Sequence, residues 1–409
     1  MSTEKAKPCV VGLGKLGLPL AAAIADAGFE TFGLDKSQEL VNQLLTGNYR
    51  SPEPGLVDLI KKNKHELIFV SDFEATKSSN IFFLIVPTPS LPDGKFNNEY
   101  LLGVISELLA SWIGITGEKT IVIVSTVMPK TCVEVFLPFI RSWQSQTEAN
   151  LKINLLYSPE FIALGSVIHN LKNPDMILIG CEFPEQTKSF LEVMQQVTNG
   201  KPYTQILNLT EAEIVKLMVN CFVTMKISFA NFIGEVSMAL PGTNKYKISS
   251  ALGMDSRIGE KYLRPGLGFA GPCFPRDNKA LIAFAKEIGL NADLSSATID
   301  INLRQPDNVV RYIKSNYATA RSIAIAGITY KPHAKVVEES QTLMIARILK
   351  QNNFLVTLID PLLNASDLPE FSILKTIDEH QTFDLVVVSK EFEFMLDVAK
   401  NQKQSILVI

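Results

Sequence analysis

Short, unbroken apolar runs recur along the first half of the chain, and between them lie stretches whose apolar residues return at helical spacing. The runs are Cys9-Val-Val11, Ile81-Phe-Phe-Leu-Ile-Val86, Thr120-Ile-Val-Ile-Val124, Ile153-Asn-Leu-Leu-Tyr157 and Met176-Ile-Leu-Ile179. A strand that is apolar at every position has both faces buried, so such strands alternating with helices predict a parallel sheet covered on both sides. The pattern returns in the last third, with Ser322-Ile-Ala-Ile-Ala-Gly327, a helical stretch from Thr342 to Lys350, Leu355-Val-Thr-Leu-Ile-Asp360, Phe383-Asp-Leu-Val-Val-Val388 and Ser405-Ile-Leu-Val-Ile409. The middle reads as helical. Thr210 is followed three residues on by Glu213, a capping-box spacing, and opens a pattern through Ile214, Leu217, Met218, Cys221, Phe222 and Met225. A long, largely buried helix is expected there. The predicted fold is α/β: two Rossmann-like doubly wound domains, 1–200 and 301–409, joined by a long central helix and a helical middle domain, 201–300. No repeat of solenoid period and no low-complexity tract interrupts this plan.

Glycine placement changes the picture in the first domain. The first apolar run leads into Gly12-x-Gly14-x-x-Gly17 and an Ala-rich helix ending at Gly28, and the next strand, Glu30-Thr-Phe-Gly-Leu34, ends in Asp35. Glycines there allow a tight turn, close backbone approach to a pyrophosphate and close helix packing, while the helix N-terminus attracts phosphate. Asp35, 18 residues after Gly17, is placed to accept hydrogen bonds from a ribose 2′-hydroxyl and to repel a 2′-phosphate, which favours NAD over NADP. The plain alternative is a Gly-rich turn in some other α/β domain. The last domain has no such glycine spacing, and so is expected to hold something other than a dinucleotide. Later strands end in Val86-Pro-Thr88-Pro, Ser125-Thr126-Val-Met-Pro and Ser158-Pro-Glu160-Phe161. Loops at the carboxyl ends of parallel strands are where such sheets bind ligands, though each also reads as an ordinary turn.

A second Gly- and Pro-rich stretch, Tyr262-Leu-Arg264-Pro-Gly-Leu-Gly268-Phe-Ala-Gly-Pro-Cys273-Phe-Pro-Arg276-Asp277, is too irregular for a helix or strand. Three glycines let its backbone approach a ligand, and three prolines stiffen it. Cys273 lies just before a predicted helix N-terminus with Arg276 close in sequence, electrostatics that lower a thiol pKa. Two readings stand at this point: a reactive thiolate, or a packed structural cysteine. On the long helix Lys216 and Asn220 are four apart and share a face. They line a cavity or form a solvated stripe.

Net charge is −3 and spread along 409 residues, so no basic stripe argues for nucleic acid and no polybasic tail for a membrane surface. Five cysteines show no CxxC pair and no metal-ligand spacing with the four histidines, which predicts reduced thiols in a cytosol and no metal. The first residues offer no signal-peptide core, and no later segment is an uninterrupted apolar run of about 18 residues. A cytoplasmic protein without a membrane partner is expected.

Taken together, these motifs resemble the UDP-glucose/GDP-mannose dehydrogenase family from Val10 to about Val408. Gly-Pro-Cys273-Phe-Pro-Arg-Asp277 is similar to the family's Gly-Gly-Ser-Cys-x-x-Lys-Asp loop, and Lys216-x-x-x-Asn220 to its Lys and Asn helix. Tyr-Ser-Pro-Glu160-Phe, Asn173-Pro-Asp175, Glu53-Pro-Gly-Leu and Val86-Pro-Thr-Pro89 recur as well. The resemblance implies a four-electron oxidation in which two NAD molecules in turn convert a sugar C6 alcohol to a carboxylate. It implies Cys273 as nucleophile, Lys216 and Asp277 with Asn220 assisting proton removal, Lys216 and Asn220 stabilising an oxyanion, and Glu160, with Thr126 and Asp277, activating the hydrolytic water. Cofactor contacts fall to Gly12, Gly14, Lys15, Leu16, Gly17, Asp35, Val86, Thr88, Thr126 and Arg276. Substrate contacts fall to Glu160, Phe161, Lys216, Asn220, Tyr262, Arg264, Gly268, Tyr330 and Lys331, and to Arg257 reaching across a dimer interface. A homodimer is thereby implied.

Four positions depart from the family pattern. Ala270 and Pro272 replace a loop glycine and serine, and Leu164 stands where the family often has Glu. Glu338 stands where an arginine contacts the NAD phosphates, which is expected to weaken cofactor binding; Lys15 is the cation available to compensate. The first hypothesis is a nucleotide-sugar 6-dehydrogenase acting on a UDP-sugar, UDP-glucose before others, since Pro272 replaces the His that the hexosamine branch places before the cysteine. GDP-mannose and a UDP-N-acetylhexosamine are the alternative sugar nucleotides. A two-electron β-hydroxyacid dehydrogenase would share the cofactor fold and a Lys/Asn helix without needing Cys273. A third reading, motivated by Leu164 and Glu338, is a sugar-nucleotide binder without turnover.

Overall fold

The structure is a computed structural model that describes residues 5–147, 150–329, 335–378, 380–396 and 404–409. The chain divides into two compact units, Met1–Lys216 and Leu217–Ile409.

In the first unit the strands are β1 Pro8–Val11, β2 Thr31–Leu34, β3 Leu67–Val70, β4 Ile81–Leu84, β5 Gly117–Ile123, β6 Leu151–Tyr157, β7 Met176–Gly180 and β8 Tyr203–Leu207. They form one sheet in the order β3-β2-β1-β4-β5-β6-β7-β8, in which Val10 of β1 lies opposite Gly33 of β2 and Phe83 of β4. Strand order reverses between β1 and β4, and at such a switch the loops part to leave a crevice. Alternate side chains supply two cores. Val10, Ile81 and Phe83 pack on one face with helix Gly17–Asp26, and Cys9, Val11, Phe82 and Leu84 on the other with Leu101, Ile105, Leu108 and Trp112. Burial on both faces is why these strands read as unbroken apolar runs.

The sheet is not wholly parallel, as the apolar runs alone suggested: β7 meets β6 antiparallel at Tyr157 and Gly180. The intervening connection holds one helix, Val167–Lys172, of six residues against the seven of β6. The two paired residues are the last of their strands, so β7 meets β6 only at its carboxyl end and the chain enters β7 from that side, without the full crossover that a parallel neighbour needs.

The second unit has helices Lys245–Gly253, Phe274–Glu287, Asp293–Asn316 and Gln341–Gln351, and strands β9 Ser322–Ala326, β10 Leu355–Ile359, β11 Ser372–Leu374, β12 Leu385–Val388 and β13 Ile406–Val408. These form an all-parallel sheet in the order β11-β10-β9-β12-β13. Ile323 and Ile325 pack into one core, and Ala324 and Ala326 into the other.

Helix Leu209–Ala239 begins in the first unit and ends in the second. Its cap differs from the expectation. Asn208, not Thr210, accepts the Glu211 N–H at 2.9 Å while the Glu211 carboxylate accepts the Asn208 N–H at 3.0 Å. The reciprocal box therefore sits two residues earlier, and Glu213 turns inward. The helix is also less buried than its pattern predicts: Leu217 and Cys221 are enclosed, whereas Met218 is 47% and Phe222 61% exposed. By length and composition it is the one described helix apolar enough to cross a membrane. Yet Thr224, Ser228 and Asn231 are buried on it and hydrogen-bonded within the fold, which marks a core helix.

Candidate active site

At the end of β1, Gly12 has a φ of 94°, and a Cβ there would lie 2.2 Å from the Ile85 carbonyl oxygen. Gly17 is as constrained, since its Cβ would fall 1.8 Å from the Gly12 oxygen. Gly14 differs: a Cβ there would meet nothing within 4 Å, so packing within the chain does not account for that glycine. Open space of that kind beside a helix start is what the close approach of a phosphate would need. Helix Gly17–Asp26 follows with no side chain capping its N-terminus, while Lys15 is exposed and Leu16 half-buried beside the turn. Asp35 is half-buried at the end of β2, its Oδ2 accepting the Leu13 N–H at 2.8 Å and its Oδ1 the Ser37 N–H at 2.9 Å. The carboxylate is thus aimed before any ribose arrives.

The loops after β4 and β5 are latched together. The Ser125 hydroxyl donates to the Val86 carbonyl at 2.7 Å and accepts the Val86 N–H at 3.0 Å, and the Thr88 hydroxyl donates to the Thr126 carbonyl at 2.7 Å. Beyond β6, the Lys216 ammonium is buried, donates to the Glu160 carbonyl at 2.8 Å and lies 4.7 Å from the centre of the Phe161 ring. Burial pushes the Glu160 carboxyl up to about 7, against the pull of Lys216. A carboxyl poised there can give or take a proton near neutrality. Its burial sets aside the solvated-stripe reading of Lys216.

In the second unit Cys273 is exposed and stands at the N-cap of helix Phe274–Glu287, with Pro275 in the first turn. The packed-cysteine reading therefore fails. Its carbonyl accepts the Asp277 N–H at 2.8 Å. Asp277 is fully buried and accepts from Asn220 Nδ2 at 2.6 Å and Arg276 Nε at 3.2 Å. One turn along the long helix and one residue along the cysteine helix, Asn278 Nδ2 donates to the Thr224 hydroxyl at 2.8 Å. Two polar rungs thus hold the start of the cysteine helix against the long helix, and Asn220 and Asp277, which only the family resemblance had grouped, are in direct contact.

Three carboxamides that sequence reasoning passed over hold the loop before Cys273. Asn231 accepts the Gly266 N–H at 2.9 Å and donates to the Leu267 carbonyl, Asn302 accepts the Phe269 N–H at 2.7 Å and donates to its carbonyl, and Gln305 donates to the Gly266 carbonyl. Asn302 and Gln305 share a buried helix face with Ser295, Thr298 and Asn308, so no contrast with apolar neighbours marked them in the sequence. Gly268 runs so close to this support that a Cβ would lie 2.1 Å from Asn302 Oδ1. Tyr262 is exposed with a φ of 63°, a left-handed conformation uncommon for an aromatic residue, and the Arg264 guanidinium sits 5.0 Å over the Tyr246 ring. A cavity of about 320 Å³ is lined by Asn231, Tyr246, Pro265, Gly266 and Gln305 among others. Arg257 is exposed and paired with Asp255 at 2.6 Å. Tyr330 and Lys331 lie outside the described residues. No cluster of metal-ligating side chains occurs among the described residues.

Residues 6–198 match the NAD binding domain of the UDP-glucose/GDP-mannose dehydrogenase family, and residues 210–304 match its central domain. The chain belongs to this family. UDP-glucose 6-dehydrogenase TuaD of Bacillus subtilis (strain 168) is 30% identical over 363 residues, covering 87% of this chain and 76% of that protein. UDP-glucose 6-dehydrogenase AglM of Haloferax volcanii is 27% identical over 344 residues, covering 83% and 80%. A solved UDP-glucose dehydrogenase from the hyperthermophilic archaeon Pyrobaculum islandicum, 27% identical, superposes with a TM-score of 0.82 over 95% of this chain and 90% of its own. Membership makes the chain an NAD-dependent dehydrogenase of nucleotide sugars, with NAD as cofactor. The residues present fit that cofactor: the open space at Gly14, the uncapped helix start and the aimed Asp35 carboxylate match a pyrophosphate followed by a ribose.

Proposed function

We propose that this chain oxidises the C6 alcohol of UDP-glucose to a carboxylate in two steps through a covalent bond to Cys273. The observation that carries the reading is an exposed thiol at the start of a 14-residue helix whose first turn holds a buried Asp277 bonded to Asn220. NAD, when bound by the Gly12–Gly17 turn, Asp35 and the loops of Val86, Thr88 and Thr126, accepts a hydride in each oxidation. Lys216 and Asp277, with Asn220, assist loss of the alcohol proton, leaving an aldehyde. The Cys273 thiolate adds to the aldehyde carbon, and the new oxyanion, stabilised by Lys216 and Asn220, takes a proton to give a thiohemiacetal. Its oxidation leaves a thioester. Water deprotonated by Glu160, with Thr126 and Asp277, adds to that carbon, the carbon–sulfur bond breaks, and carboxylate and thiolate part.

Arg264, Gly268, Tyr262, Phe161, Arg276 and Lys331 are assigned to binding, with the 320 Å³ cavity beside Gly266 taking part of the nucleotide. Pro272, immediately before Cys273, favours glucose over an N-acetylated sugar; GDP-mannose is the second substrate to test. In this reading residues 1–200 bind NAD, 201–300 form the helical dimerisation domain and 301–409 bind the nucleotide sugar, in the cytoplasm. Met218, Phe222, Phe229, Phe232 and Val236 leave an exposed apolar stripe on the long helix, which supports a homodimer with Arg257 reaching the partner's sugar nucleotide.

NADH counting tests the proposal. Two NADH per UDP-glucose are expected, with Cys273→Ser stalling after the first; one NADH with an aldehyde product would replace the reading with a two-electron dehydrogenase. Binding of UDP-sugars without NADH would leave only a binder.

A further inference from the structure

The geometry points to Glu213 as a positioning residue: it fastens the first turns of the long helix, and with them Lys216, to the segment after β5 that carries Thr126. This inference rests on the proposed function for its catalytic consequence, though not for the contact itself.

Glu213 is fully buried one turn before Lys216. Its Oε2 accepts the Lys130 N–H at 2.6 Å and its Oε1 the Cys132 N–H at 2.8 Å. Both donors sit in strained or irregular backbone. Lys130 has a φ of 74°, and Cys132 opens a π-turn, Cys132–Phe136, that continues as helix Leu137–Thr147. The first N–H groups of such a helix have no acceptor within it, and Thr131 supplies no side-chain cap. A carboxylate from another element therefore does the capping. The other end of the same segment is held through Ser125 to Val86 and through Thr126 to Thr88. Lys216 is in turn held by the Glu160 carbonyl. One buried side chain thus closes a chain of contacts running from the loops beside the cofactor turn to the ammonium group proposed for proton transfer.

Two oxygens matter here. An ionised carboxylate offers an acceptor to each N–H, whereas a glutamine turns an NH2 toward one of them. The surroundings resist that ionisation: burial pushes the carboxyl up to about 7, three hydrogen bonds from Cys132 and Lys130 oppose the shift, and Glu134 adds repulsion, itself paired with the Lys130 ammonium at 3.3 Å. A buried carboxyl retained against that cost is consistent with a positional duty.

The test is Glu213→Gln in the full chain, read by steady-state kinetics and by amide hydrogen exchange. A fall of about tenfold or more in kcat is expected, with KM for the sugar nucleotide within about threefold, because placement and not uniform binding is lost. Exchange is expected to speed up at Lys130 and Cys132 and nowhere else in the unit, and Glu213→Asp, which keeps both oxygens, is expected to recover part of kcat. An unchanged kcat, or unchanged exchange at those two amides, overturns the inference, and so does a uniform loss of protection across the unit. If Glu213→Gln does not fold, Glu213→Asp carries the same readouts against the native protein. If the native protein makes no NADH from any sugar nucleotide, the proposed function fails, and the exchange arm still decides the contact.

Discussion

The two sheets end their first strands in the same way and use the result differently. Gly12 after β1 and Gly327 after β9 both have positive φ, at 94° and 83°. Each donates its N–H to the last residue of the second strand, Leu34 at 2.8 Å and Ile359 at 2.9 Å. Each second strand is followed by an aspartate, Asp35 or Asp360, whose N–H bonds the third strand at Val70 or Leu374 and whose carboxylate catches the turn. The difference lies in what remains. Asp35 is half-buried with two donors, whereas Asp360 is fully enclosed and takes the N–H groups of Ile328, Thr329 and Leu362 and the Thr329 hydroxyl. Beyond Gly12 lies the open space at Gly14; at Gly327 the Phe392 ring lies 2.4 Å from where a Cβ would stand. One turn keeps its acceptors and its space for a ligand. Its counterpart has filled both with protein.

The comparison breaks first at Asp360. Asp360→Ala leaves two buried backbone donors, at Ile328 and Thr329, without an acceptor, at about 1 to 3 kcal/mol each, so urea unfolding should show a loss of at least about 2 kcal/mol. NAD affinity of the protein that remains folded should stay within about threefold; a large loss of affinity would mean that the second turn reads the cofactor after all. Gly12→Ala and Gly327→Ala form the next pair. The first should abolish measurable NAD binding by driving a methyl into the Ile85 carbonyl, and the second should lower the melting temperature while sparing NAD. Calorimetric titration with NAD separates them, and equal effects of the two on affinity would erase the distinction. Asp35→Ala should weaken NAD by about tenfold, a charged hydrogen bond to ribose being worth about 1.5 kcal/mol or more, with NADP discrimination relaxed.

The smallest effect separates the cofactor turn from the chemistry beside it. Glu160 stands at about 7 when folded against 4.5 ordinarily, because burial outweighs the pull of Lys216. A raised carboxyl pKa contributes stability that is present below about 4.5 and is lost as pH rises toward about 7. Turnover should run the other way, since the base is the ionised form: kcat rises through about pH 7, and Glu160→Gln flattens that limb. NAD affinity in the same pH series should not follow it.

Much of the site was readable along the chain. Gly12, Gly14, Gly17 and Asp35 carry a backbone demand within one strand, turn and helix, and Cys273 announced itself by standing before a helix start in a run of Gly and Pro. Lys216 and Asn220 were legible as neighbours on one helix face. The edge strands β3, β8 and β11 passed unnoticed because they are short or only half-buried, as Tyr203–Leu207 shows with its partly exposed side chains, and so lack the unbroken apolar signature. The overlapping spacings Asn208 to Glu211 and Thr210 to Glu213 both satisfy a capping box, and choosing between them needs to know that β8 ends at Leu207.

What the sequence determined by itself is local: where φ must be positive, where a helix begins, which strands are covered on both faces, and which nucleophile precedes a helix. These follow from sterics and periodicity within a few residues. Only the tertiary structure decided how many donors each carboxylate meets. Asp35, Asp360 and Glu213 are single acidic letters in the chain, and their duties diverge because distant backbone N–H groups reach them in different numbers and at different depths from solvent.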